Sequence, residues 1–176
     1  MPLTLDPGRN LIEVVAFNGY SESVRFSPVK VTYNAPAGQQ RQLPNLWILA
    51  IGVNNYDNQS QVGGNLRFAV ADVKRLAEAL KSQEGRRYAK VNSLIIGEGE
   101  AALPTDVNIK QSLSFLDQAG DRDIVLIFLA RHGVSAQNGS FFFLPKDAVV
   151  SGSSGNWRVY EKRAISGEEI TAVLEG

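Results

Sequence analysis

The sequence holds one histidine and no cysteine among its 176 residues, so the chemistry the chain can do turns on His132. This residue follows a wholly apolar run, Ile124–Ala130, and Arg131, and it precedes Gly133. A neutral imidazole is the side chain best matched to accept and return a proton near neutral pH. A glycine beside such a base lets a backbone N–H approach a developing oxyanion with no Cβ in the way. The same residues also fit a structural histidine whose ring caps a strand end by bonding backbone. Without cysteine these residues make no disulfide, no thiolate metal site, no iron–sulfur cluster and no thiol nucleophile. A single histidine also excludes a two- or three-histidine zinc site within one chain. No metal site is therefore expected.

Other motifs fail. The sequence has no G-x-x-x-x-G-K-[ST], no G-x-G-x-x-G after its first long apolar run and no G-x-S-x-G. Gly63-Gly64 reads as flexibility in a loop, Arg86, Arg87 and Lys90 as a solvated basic cluster, and Glu98 and Glu100 as surface acids. Lysine plus arginine is 18 and aspartate plus glutamate is 18, for a formal net charge of zero. That balance argues against a general nucleic-acid or anionic-membrane binder. The apolar runs Leu46–Val53 and Ile124–Ala130 fall far short of the roughly 20 residues that span a bilayer. Met1–Asp6 has neither a basic nor an apolar signal region. A soluble, cytoplasmic protein is the expectation.

The elements that must position His132 are legible from hydrophobic spacing. Leu46–Val53 is a continuous apolar run, as a strand covered on both faces requires. Leu66, Ala69, Val70, Val73, Leu76, Ala77 and Leu80 follow at helical spacing, with Asn65 as the expected N-cap. Val91–Gly97 reads as a second strand. Thr105 caps a second helix with Ile109, Leu113 and Leu116 inward and Gly120 beyond its end. Ile124–Ala130 is a third strand and Ser140–Leu144 a short aromatic one. Ser166-Gly167-Glu168-Glu169 is a capping box leading into a last helix with Ile170, Val173 and Leu174. The alternation implies an α/β fold with a parallel sheet and helices on both faces, Leu46–Val53 and Ile124–Ala130 being its central strands. Ligands of such sheets bind beyond the strands' carboxyl ends. Those ends carry Asn54, Asn55 and Tyr56, then Glu98, then His132 and Gly133.

Residues 1–35 read differently. Leu11–Phe17 and Ser23–Tyr33 form a β-hairpin around Asn18-Gly19, interrupted at Pro28. A lone hairpin is marginal in water, so it packs on the following domain or ends an upstream β-sandwich. Asn34–Pro44 reads as a linker, so the domain divisions are 1–35, 36–45 and 46–176.

Trp47–Tyr56 (WILAIGVNNY), Leu66–Leu80 (LRFAVADVKRLAEAL), Asp123–Gly133 (DIVLIFLARHG) and Phe141–Asp147 (FFFLPKD), in this order and spacing, resemble caspase-like cysteine peptidases, most closely bacterial members related to metacaspases. The resemblance covers residues 46–176. It implies a caspase-like fold, with His132 as the base of a Cys–His dyad and Gly133 N–H as part of the oxyanion hole. The substrate is then a peptide or protein, bound beside Asn54, Asn55 and Tyr56, and the chemistry needs no cofactor. Leu5–Gly8 with Asn10–Phe17 resembles the closing strands of an immunoglobulin-like domain that often precedes such peptidases. Two features depart from the family. Arg131 stands where a glycine is usual, and the cysteine is missing. In caspases the histidine lies about 50 residues upstream of the cysteine. The resemblance therefore places the nucleophile beyond Gly176, in a longer protein, and leaves these 176 residues inactive alone. The other readings are a pseudo-protease acting as a scaffold or interaction module, and an unrelated α/β binding domain. The longer protein is expected to show no preference for acidic substrates, because Asp57–Asn65 has no arginine.

Overall fold

The computed structural model describes residues 5, 7–13, 27–34, 36, 42–135, 139–151, 158–159 and 163–175. The chain divides into two compact units, Met1–Gln42 and Leu43–Gly176. In the first, β1 (Gly8–Ile12) pairs antiparallel with β2 (Val29–Tyr33), Gly8 opposite Tyr33 and Ile12 opposite Val29. The expected turn at Asn18-Gly19 and residues 23–26 of the expected second strand lie outside the described residues.

The second unit is mixed α/β. Its elements are β3 (Leu46–Gly52), α1 (Gln59–Val62), α2 (Ala69–Lys81), β4 (Val91–Ile96) and α3 (Asp106–Leu113). A 3-10 turn over Ser114–Gln118 extends α3 and leads to β5 (Ile124–Ala130), β6 (Gly133–Ser135) and β7 (Phe141–Phe143). Short strands β8 (Val150–Ser151), β9 (Arg158–Val159) and β10 (Ile165–Ser166) follow, and then α4 (Gly167–Glu175). β4, β3 and β5 form a parallel sheet in that order, with Leu46 level with both Val91 and Ile124. β10, β7 and β6 form a second, antiparallel sheet.

Alternation along β3 serves two cores. Ile48 and Ala50 meet Val73 of α2 on one face. Leu49 and Ile51 meet Ile109 of α3 on the other, where Ile170 and Val173 of α4 also pack. These β3 side chains are all but sealed from solvent, which is why the run carries no polar residue.

The helix ends show which sequence signals were sound. Thr105 caps α3, its hydroxyl accepting from Asn108 N at 3.4 Å. The capping box closes as its pattern demands: Glu169 N donates to Ser166 Oγ and Ser166 N to Glu169 Oε2. Asn65 does not cap α2. That helix starts three residues later than its first spaced leucine, at Ala69, and its Val70 N–H donates to Asn54 Oδ1 at 3.1 Å.

The expected central position of Ile124–Ala130 is also corrected. β3 is interior, but β5 is an edge strand among the described residues. A continuous apolar run reports cover above and below a strand and says nothing of its lateral neighbours. The cover here is partial: Ile124 is 44% exposed and Val125–Ala130 are half-buried, because the helices centre on β3.

Candidate active site

Parallel pairing brings the carboxyl ends of β4, β3 and β5 side by side, and the loops leaving them lock together. After β3, the backbone N–H groups of Asn54 and Asn55 donate to the Glu98 carboxylate, which follows β4, at 3.1 and 2.9 Å. Tyr56 N donates to Asn65 Oδ1, and Leu66 N to Asn54 O. Lys146 ties the same loop from the far side through Asp57 Oδ1 at 2.7 Å and Asn55 O at 3.3 Å.

Tyr56 is 4% exposed and sits in a cluster with Val53, Val62 and Leu144. Its hydroxyl accepts from His132 N at 2.9 Å, and the two rings lie 5.2 Å apart. Burial raises the Tyr56 pKa, partly offset by the bond from His132, so the phenol stays neutral at physiological pH.

The His132 ring meets the loop between α1 and α2. Its Nε2 is 3.0 Å from Gly64 O. A carbonyl only accepts, so Nε2 carries the proton and Nδ1 keeps the lone pair. No described residue bonds Nδ1. The Gly63-Gly64 pair, expected to supply flexibility, instead supplies a fixed turn. Both residues have positive φ (94° and 97°), and Gly64 N bonds back to Gln59 O. That conformation aims the Gly64 carbonyl at the imidazole.

Gly133 opens β6. Leu144 N donates to His132 O at 3.0 Å, and the next pair along the register is Gly133 with Phe143. Bonded and non-bonded pairs alternate in an antiparallel ladder. The Gly133 N–H therefore turns away from β7, on the open side of an edge strand. Phe141 lies over Gly133 so closely that a Cβ there would collide with its ring. Phe141 also lines a concavity of about 880 Å³ with Ser166, Glu168 and Glu169 at the start of α4, which does not include His132.

The structure thus brings Tyr56, Gly64, His132 and Gly133 together. Of the three residues expected to bind substrate, Tyr56 is buried under His132 and Asn54 is occupied at the α2 N-terminus, while Asn55 keeps an exposed side chain. Glu98, expected to be a surface acid, is half-buried and fixes the β3 loop. Its signal was its place directly after β4, once β4 is known to lie beside β3. No group of three or more metal-ligating side chains occurs among the described residues, and no described helix is long and apolar enough to cross a membrane. No protein-family model, no curated protein and no solved structure matches the chain.

Proposed function

We propose that the second unit is the histidine-bearing part of a caspase-like cysteine endopeptidase. The observation that carries the reading is the state of His132: Nε2 bound to Gly64 O and Nδ1 unengaged, next to an outward Gly133 N–H. That is a general base beside an oxyanion donor, the pair an acyl transfer needs around a nucleophile. A thiolate would attack the peptide carbonyl after His132 takes its proton. His132 would then protonate the leaving amine, with Gly133 N–H holding the oxyanion.

The nucleophile comes from a strand added at the outer edge of β5. Handedness supports this placement. β3 to β4 crosses through α2 on one face, and β4 to β5 returns through α3 on the other. α4 packs on the α3 face, so a right-handed crossover through it continues in the direction from β4 to β5 and lands beyond β5. A cysteine at that strand's carboxyl end stands beside His132. A second reading, a peptide-binding module without catalysis, draws on the absence of any cysteine from these 176 residues.

The test is a peptide-turnover assay on the 176-residue chain and on a chain continued by about 50 residues of its reading frame. The short chain should be silent and the long one active. His132→Ala in the long chain should cost on the order of 10²–10⁴-fold in turnover. Cleavage by the short chain, or a long chain indifferent to His132→Ala, contradicts the assignment.

A further inference from the structure

Tyr56 reaches two separate parts of the site at once. Its backbone N–H donates to Asn65 Oδ1 at 2.9 Å, and Asn65 directly follows Gly64, whose carbonyl meets the His132 ring. Its hydroxyl accepts from His132 N at 2.9 Å. A tyrosine side chain turns about two χ angles only, and this one is packed among Val53, Val62 and Leu144. The span from its backbone to its hydroxyl is therefore fixed. His132 itself lies between β5 and β6, where no strand ladder supplies its N–H with an acceptor. The phenol takes that place. The His132 carbonyl accepts from Leu144 N at 3.0 Å, so both backbone groups of the residue are bound. In a trans peptide the C=O of one residue and the N–H of the next point in opposite directions. An inward His132 carbonyl thus turns the Gly133 N–H outward.

We propose that Tyr56 is a positioning residue, a strut between the Gly64 loop and the His132 backbone that sets the imidazole against the Gly64 carbonyl and holds the Gly133 N–H outward. Its effect passes through His132, since the buried phenol faces His132 N and not the open side of β6. One hydroxyl thereby places both the base and the oxyanion donor. Removing only that oxygen, as in Tyr56→Phe, keeps the ring and its packing but leaves the His132 N–H without an acceptor. The amide then turns toward another acceptor. The imidazole moves off the Gly64 carbonyl with it, and the Gly133 N–H leaves its place on the open edge. The consequence for turnover rests on the peptidase reading; the strut itself is tested without it.

The experiment compares the 176-residue chain with its Tyr56→Phe and Val150→Ala variants by ¹H–¹⁵N correlation spectra. Val150 is buried in the same apolar cluster as Tyr56, so its truncation loosens the packing there and leaves the hydroxyl in place. Both variants should melt lower than the parent. Tyr56→Phe alone should displace the Gly133 amide signal and move the imidazole nitrogens toward the average of the two tautomers. Parental signals in Tyr56→Phe, or equal displacement in Val150→Ala, would overturn the proposal, because packing would then explain the role of Tyr56. In the unaltered chain the His132 amide should exchange as slowly as the amides of β3. Fast exchange would equally overturn the idea, and this measurement stands whether or not a variant folds. In the chain continued past Gly176, Tyr56→Phe should lower kcat by up to about 10²-fold, the cost of a displacement on the order of 1 Å, with KM little changed. A raised KM with kcat intact would contradict the strut, since it would place Tyr56 in substrate binding. Failure of the peptidase reading alone would appear as an inactive long chain with the spectral differences intact.

Discussion

Tyr56 and Gly64 hold His132 by separate handles, one on its backbone N–H and one on its ring. His132 and Gly133 could be singled out from the sequence because a lone imidazole after an apolar run has few competitors. The roles of Gly64, Glu98 and Tyr56 were not, since they depend on which loops meet at the sheet edge, and residue types do not encode that. At the opposite end of the sheet, Asp123 does comparable work. Its carboxylate accepts from Trp47 Nε1 at 2.9 Å, from Asn45 N at 3.0 Å and from Gly120 N at 3.2 Å. The Trp47 bond leads in drawing its pKa down to about 2. The folded value lies below the unfolded one of about 3.9. The stabilisation is therefore complete above the unfolded value and is lost as pH falls from about 4 toward 2. Asp123→Asn should be less stable than the parent at pH 7, with the gap closing across that window. Urea titrations at pH 7, 4 and 2.5 check this, and a gap independent of pH would contradict it.

At the scale of elements, the loops at the carboxyl edge of the sheet are fixed because α2 comes very close to it. A Cβ on Gly52 would lie 2.8 Å from Ala69 O and from Val70 Cα, and one on Gly97 would lie 3.1 Å from the Val70 side chain. Gly52 ends β3 and Gly97 directly follows β4, at the point where the α2 N-terminus crosses the sheet. The close approach lets Asn54 cap Val70 and so fixes the loop that carries Tyr56. Gly52→Ala should destabilise the protein by about 1–3 kcal/mol, the usual cost of overpacking, because the obstructing atoms are backbone. Chemical denaturation measures it, and a neutral result would show that α2 can retreat freely. The α2 boundary was misread for a related reason: Leu66 fits the helical spacing, but the cap comes from a residue across the loop. Caps encoded within one turn, at Thr105 and Ser166, were readable. The edge position of β5 was not, because lateral pairing leaves no mark in the hydrophobic pattern of the strand itself.

For the whole molecule, the two units predict separable folding. Leu43–Gly176 contains the three apolar clusters described around β3, Tyr56 and Val73. Removal of residues 1–42 should leave one cooperative thermal transition, and its loss would show that the first unit completes the core. The proposed role of His132 as a base requires it to present a free Nδ1, and the protein offers a direct view of it. There is a single histidine, so its imidazole nitrogens give one unambiguous set of signals in a long-range ¹H–¹⁵N correlation spectrum. In the neutral state Nε2 should carry the proton as a single fixed tautomer, with Nδ1 showing the shift of an unprotonated nitrogen. A proton on Nδ1, or the averaged tautomers of a free imidazole, would contradict the account.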